Sequence, residues 1–179
     1  MNDQSPLRLW LMRAGFALLV LGIVFVHLLP LETSPKRWAG PDLILAFACA
    51  WSVRRPEYIP PMLLAVVFLL SDLLLQRPPG LWAVLVLVGC EYLKSSGRSL
   101  RDSTFPTEWL TVGTVIIAIT AANRLILAVL LIDTPALGLT LFQMGTTLLF
   151  YPVIVLITHS LMGVRKSAPG DLDSMGKRI

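Results

Sequence analysis

Residues 109–162 read WLTVGTVIIAITAANRLILAVLLIDTPALGLTLFQMGTTLLFYPVIVLITHSLM. Two apolar runs, 109–132 and 137–162, flank the short break Asp133-Thr134-Pro135. A helix rises 1.5 Å per residue, so roughly 20 apolar residues cross the hydrocarbon of a bilayer. Both runs exceed that length. The stretch therefore reads as two membrane-crossing helices joined by a tight turn, with Asp133 and Thr134 suited to end one helix and cap the next. Pro152 inside the second run predicts a kink there.

Working outward, four more apolar segments lie upstream, at 9–29, 41–53, 60–75 and 81–93. The first meets the spanning length. The segments at 41–53 and 81–93 are short and rely on burial in protein or local bilayer thinning to span. Four spans with two re-entrant pieces is the alternative count. Loop chemistry supports six segments. Pro78-Pro79-Gly80 makes a tight turn, Arg54-Arg55-Pro56-Glu57 breaks the chain earlier, and Pro60-Pro61 opens the next helix, where a missing N–H costs nothing. The expected fold is an all-α integral membrane protein, a six-transmembrane-helix bundle over residues 1–166 with a flexible cytoplasmic tail over 167–179.

Composition agrees. Of 179 residues, 55% are hydrophobic and 15% charged, against about a quarter charged in soluble domains. With the amino terminus inside, the inner loops and tail carry eleven Lys and Arg against three outside. That bias predicts cytoplasmic N- and C-termini by the positive-inside rule. The net charge of +4 is then a topology signal, and nucleic-acid binding is not expected. The basic start of the first segment, Arg8 and Arg13, also suits a signal peptide, but no small-residue cleavage pattern follows, so it reads as a retained helix. Cys49 and Cys90 fall in apolar runs without ligand spacing and read as buried small hydrophobes.

Ionisable residues inside spans cost a few kcal/mol, which makes each a candidate. Asp42, Asp72, Glu91, Arg124 and His159 are these residues. Asp72 lies 12 residues past Pro60 and Arg124 lies 15 past Trp109, depths of about 18 and 22 Å by helical rise. Matching depth and opposite charge predict an Asp72–Arg124 pair in the outer half of the bundle; the plain alternative is an Arg124 that snorkels outward alone. Asp42 is expected as a helix-start residue favoured by the dipole, with a second contact to Arg124 as the alternative. Glu91 suits an i,i+3 pair with Lys94. His159 is expected to be structural. Thr140, Gln143, Thr147, Tyr151 and Thr158 form a polar stripe, and Thr111, Thr114, Ala118 and Ala121 a small one, both suited to helix packing, with a ligand pocket as the alternative. No phosphate loop, metal-ligand motif or nucleophile elbow is present, so neither enzyme activity nor a cofactor is expected.

The order of residues from 41 to 83 resembles a family. Pro41-Asp42-Leu43-Ile44-Leu45-Ala46 leads through Ala50-Trp51 to Arg55-Pro56, then Phe68-Leu69-Leu70-Ser71-Asp72-Leu73-Leu74 and Pro79-Gly80-Leu81-Trp82-Ala83. This is similar to the rod shape-determining protein MreD. Arg124 in an Asn-Arg-Leu context also looks like proteobacterial members. The chain departs from the family where a Gly often precedes the Asp; here Leu69, Leu70 and Ser71 stand there.

The resemblance implies a bundle similar to the S-components of energy-coupling-factor transporters. It also implies a non-enzymatic scaffold of the bacterial elongation machinery in the inner membrane, with MreC, MreB, RodA and a class B penicillin-binding protein as partners. Asp42, Trp51, Arg55, Asp72 and Arg124 are then the interaction or structural polar residues, with Pro79 and Gly80 at the turn. The runner-up is a substrate-binding subunit of a small-molecule uptake transporter. It is weakened because Leu18 stands where the docking pattern Ala-x-x-x-Ala needs its second alanine after Ala14.

Overall fold

A computed structural model describes residues 6–29, 40–101, 104–134 and 136–160, without the side chains of 98–101. The tail at 167–179 lies outside the described residues. The described chain is all-helical: α1 (Pro6–Leu28), α2 (Leu43–Arg54), α3 (Pro61–Leu74), α4 (Leu81–Arg101), α5 (Phe105–Val129) and α6 (Leu137–Ser160), with a 3₁₀ turn at Pro56–Tyr58. Three of them, α1, α5 and α6, are long and apolar enough to cross a membrane.

Each apolar stretch marked in the sequence coincides over most of its described residues with a helix, and the largest differences in bounds fall between α4 and α5. Helix α4 runs on to Arg101, and α5 opens at Phe105, so the joint is much shorter than the polar stretch 94–108 suggests. Hydropathy falls at Lys94-Ser95-Ser96, yet helix propensity does not, because Lys is a good helix former and the helix is already nucleated.

Helix α2 is the centre. Ile44 through Arg54 are all buried, although the helix has only 12 residues and is about 18 Å long. It packs on α4 and α6 and touches α1. Its mixed apolar sequence has no polar face, as expected of a helix enclosed all round. Helix α1, by contrast, buries one stripe, Phe16, Val20 and Val24. Such i, i+4, i+8 spacing lies along one side of a helix, and here it meets α3 and the 3₁₀ turn. Trp10, Leu11, Leu18 and Phe25 on the same helix are more than 60% exposed. Apolar residues thus cover the outside while Arg54, Glu108 and Asp72 are inside.

Two features show how local chemistry sets the packing. Gly89 lets α4 approach α5: a Cβ there would lie 2.6 Å from Ile119 Cδ1 and 3.0 Å from Val115 Cγ1. The Val115 branch cannot swing away freely. Gly89→Val is therefore expected to lose about 1–3 kcal/mol through overpacking, read as a lower thermal midpoint of the detergent-solubilised chain. An unchanged midpoint would refute close approach at this seam. The small stripe expected on α5 does not face a seam, since Thr114, Ala118 and Ala121 are exposed. Val112, Val115, Ile116 and Ile119 are buried instead.

The second feature concerns Pro152, inside α6. Proline has no N–H for the carbonyl four residues back, which is Leu148. The Trp109 indole Nε1 donates to that carbonyl at 3.0 Å. An acceptor left open by proline is thus closed from the neighbouring helix. Trp109→Phe is expected to cost about 1 kcal/mol. The same change in a Pro152→Ala background should cost little, because the restored N–H serves the carbonyl. Equal losses in both backgrounds would disprove this coupling.

Candidate functional site

Polar groups gather at the two ends of α2. At its start, Asp42 is the N-cap: its carboxylate Oδ1 accepts from the Leu45 N–H at 3.0 Å, and its own N–H donates to Thr147 Oγ1 at 2.8 Å. The helix-start role expected for Asp42 is therefore present. The other carboxylate oxygen lies 3.8 Å from Arg77 Nη1, whose guanidinium stands 5.3 Å over the Trp82 ring. Charge on the α3–α4 turn is thereby tied to the start of α2.

The predicted Asp72–Arg124 pair does not form. Asp72 is fully buried, and its Oδ2 accepts from the backbone N–H groups of Gly80 and Ala83, each at 3.1 Å. The reason lies in the turn. Pro79-Gly80 brings the chain round with Gly80 at φ +86°, a conformation that glycine adopts without a Cβ penalty. Glycine at that position offers no side chain to cap α4, whose first N–H groups lack intrahelical acceptors. The carboxylate from the end of α3 supplies the acceptor, and its negative charge suits a helix N-terminus. Asp72 is thus a cap delivered from the preceding helix, and nearer donors take it before Arg124 can.

Arg124 lies on the opposite wall. Its guanidinium donates to Thr140 Oγ1 at 2.6 Å and to Thr134 Oγ1 at 3.5 Å, joining α5, the α5–α6 turn and α6. It does not project outward alone. Between this wall and the Asp42–Arg77 pair lies a cavity of about 290 Å³. Its apolar side includes Leu81, Trp82, Ile116 and Met144. Part of the α6 polar stripe, Thr140, Gln143 and Thr147, faces it.

At the other end of α2, Trp51 is fully buried, 5.4 Å from the Phe16 ring and 6.1 Å from Tyr58. Arg55 closes the helix: its N–H donates to Trp51 O at 2.8 Å and its guanidinium pairs with Glu57 at 3.2 Å. Lys94 pairs with Glu91 at 2.7 Å, as the i,i+3 spacing predicts, and also donates to Ile59 O at 2.7 Å. His159 is exposed at the end of α6.

Sequence reasoning missed one buried group. Arg54 Nη2 lies 3.3 Å from Glu108 Oε1, and Tyr151 OH donates to the same oxygen at 3.2 Å. Glu108 is fully buried. Arg54 reads in sequence as a loop charge that sets topology, and Glu108 falls one residue before the apolar run at 109. Their opposite charges, at the end of one apolar run and just before another, are the signal that could have paired them.

Among the described residues no three His, Cys, Asp or Glu side chains gather as a metal site. The arrangement supplies caps, ion pairs and a small polar cavity. Comparison with protein-family models, with curated proteins and with solved structures finds no match for this chain.

Proposed function

We propose that the chain is a non-enzymatic membrane scaffold of the MreD type. In this reading all six helices cross the bacterial inner membrane, with both termini in the cytoplasm, in a bundle like that of the transporter S-components. The short α2 is carried inside the bundle, sheathed by protein, where it needs no lipid-spanning length. The apolar outer faces of α1, α3 and α5 meet lipid, while the buried ions stay away from it.

The observation that carries the proposal is the part taken by the residues from 41 to 83 that resemble the family. Asp42 caps α2, Trp51 fills the core, Arg55 closes the helix, and Asp72 with Pro79-Gly80 locks the α3–α4 turn. These are the parts of a rigid frame, which suits a protein whose task is to hold partners. MreC is the expected direct partner, with MreB, RodA and the class B penicillin-binding protein in the same assembly. Affinity capture of the full chain in mild detergent tests this. Recovery of the MreC-like protein supports it; recovery of transporter ATPases without wall-synthesis proteins sinks it.

The cavity favours the runner-up, a small-molecule uptake subunit, because it lies in the half of the bundle taken as outer and mixes aromatic and polar groups. The same capture experiment separates the two.

A further inference from the structure

The cavity carries four charged side chains on its wall among the described residues, two of each sign: Asp42, Asp133, Arg77 and Arg124. A site for a simple anion or cation would show an excess of one sign. Here the signs balance. Asp42, Arg77 and Arg124 are also held in place. Asp42 is fixed by the Leu45 N–H and by Arg77, and Arg124 by the hydroxyls of Thr140 and Thr134. Fixed charges on opposite walls recognise a ligand with opposite charges a short linker apart, since little reorganisation is needed on binding. The apolar floor of Leu81, Ile116, Leu127 and Met144 gives an uncharged body somewhere to lie.

We infer that this cavity binds a zwitterionic phosphoethanolamine group, its ammonium toward the carboxylate of Asp42 and its phosphate toward Arg124 on the facing wall. The group has two sources, the headgroup of phosphatidylethanolamine and the free soluble compound. Guanidinium suits phosphate because its planar donor fork matches the oxygens. The ammonium is what sets this ligand apart from other phosphates, and Asp42 is the residue that reads it. The inference concerns the cavity alone and holds whether the chain is a scaffold or an uptake subunit; its failure leaves the partner-capture result untouched.

The full chain in maltoside detergent is stripped of lipid and offered equal amounts of phosphatidylethanolamine, phosphatidylglycerol and phosphatidylcholine, and native mass spectrometry counts what stays bound. One phosphatidylethanolamine should be retained at least about fivefold over either competitor. Asp42→Asn and Arg124→Gln should each lower that retention about tenfold. Asparagine caps a helix as well as aspartate, so the first variant removes charge without removing the cap, and it decides the matter if the second fails to fold. Soluble phosphoethanolamine that displaces the lipid marks the free compound as an accepted ligand; failure to displace it marks the lipid as the source. Equal retention of all three lipids overturns the inference, as does phosphatidylglycerol binding that ignores Asp42→Asn. Retention of neither lipid nor phosphoethanolamine overturns it too.

Discussion

Glu108→Ala is expected to remove about 3–5 kcal/mol of stability, the usual loss when one partner of a buried ion pair is deleted. The Arg54 side chain is only 10% exposed, so its charge would be left in a poorly solvating interior, and the Tyr151 hydroxyl would lose its acceptor. The readout is the fraction of chain that stays monodisperse after heating in detergent. Two companions make the test specific. Tyr151→Phe should cost about 0.5–1.5 kcal/mol, the worth of one hydrogen bond. The double change Arg54→Met with Glu108→Leu should recover most of the loss, because two apolar side chains of similar volume need no pairing. A single Glu108→Ala that behaves like the parent chain would show that the pair holds nothing together. A double variant as poor as the single would show that the loss came from packing rather than charge.

Asp72→Ala should cost about 2–4 kcal/mol. Two backbone N–H groups at the start of α4 would lose a charged acceptor, and the site is buried, so water is a poor substitute. The other carboxylate oxygen, Oδ1, has no hydrogen-bond partner among the described residues, and relief of that penalty offsets part of the loss. Asp72→Asn discriminates. The amide keeps one oxygen for Gly80 and Ala83, so it should lose only about 1 kcal/mol, the charge-dependent part of the cap. Thermal midpoints in detergent rank the three proteins. Asparagine as damaging as alanine would mean that the negative charge, and so a cationic partner, is what matters. Under the scaffold reading, capture of the MreC-like partner should fall in parallel with folded yield in the alanine variant and persist in the asparagine one.

Both residues bear on how far the chain could be read without its structure. Apolar runs divided by Pro, Gly and charged residues identify helices and their order, because apolar burial and helix termination are properties of contiguous residues. Asp42 as a cap and Glu91 with Lys94 follow for the same reason: their partners lie within four residues. The small stripe on α5 shows the limit. Spacing reveals that Ala118 and Ala121 share a face, but not whether another helix covers that face, and among the described residues both are exposed.

The sequence by itself determined the helical segments, the Asp42 cap, the Pro79-Gly80 turn, and the apolar character of three helices long enough to cross a membrane. The tertiary structure alone decided that the shortest apolar helix is the enclosed one, that Asp72 serves α4 rather than Arg124, that Arg54 and Glu108 meet across 54 residues, and that a cavity opens beside Asp42. The physical reason is distance along the chain. Hydrogen bonds to neighbours and hydrophobic runs are written in adjacent residues. The choice of a buried charge among several distant partners depends on which donors the packed helices bring closest.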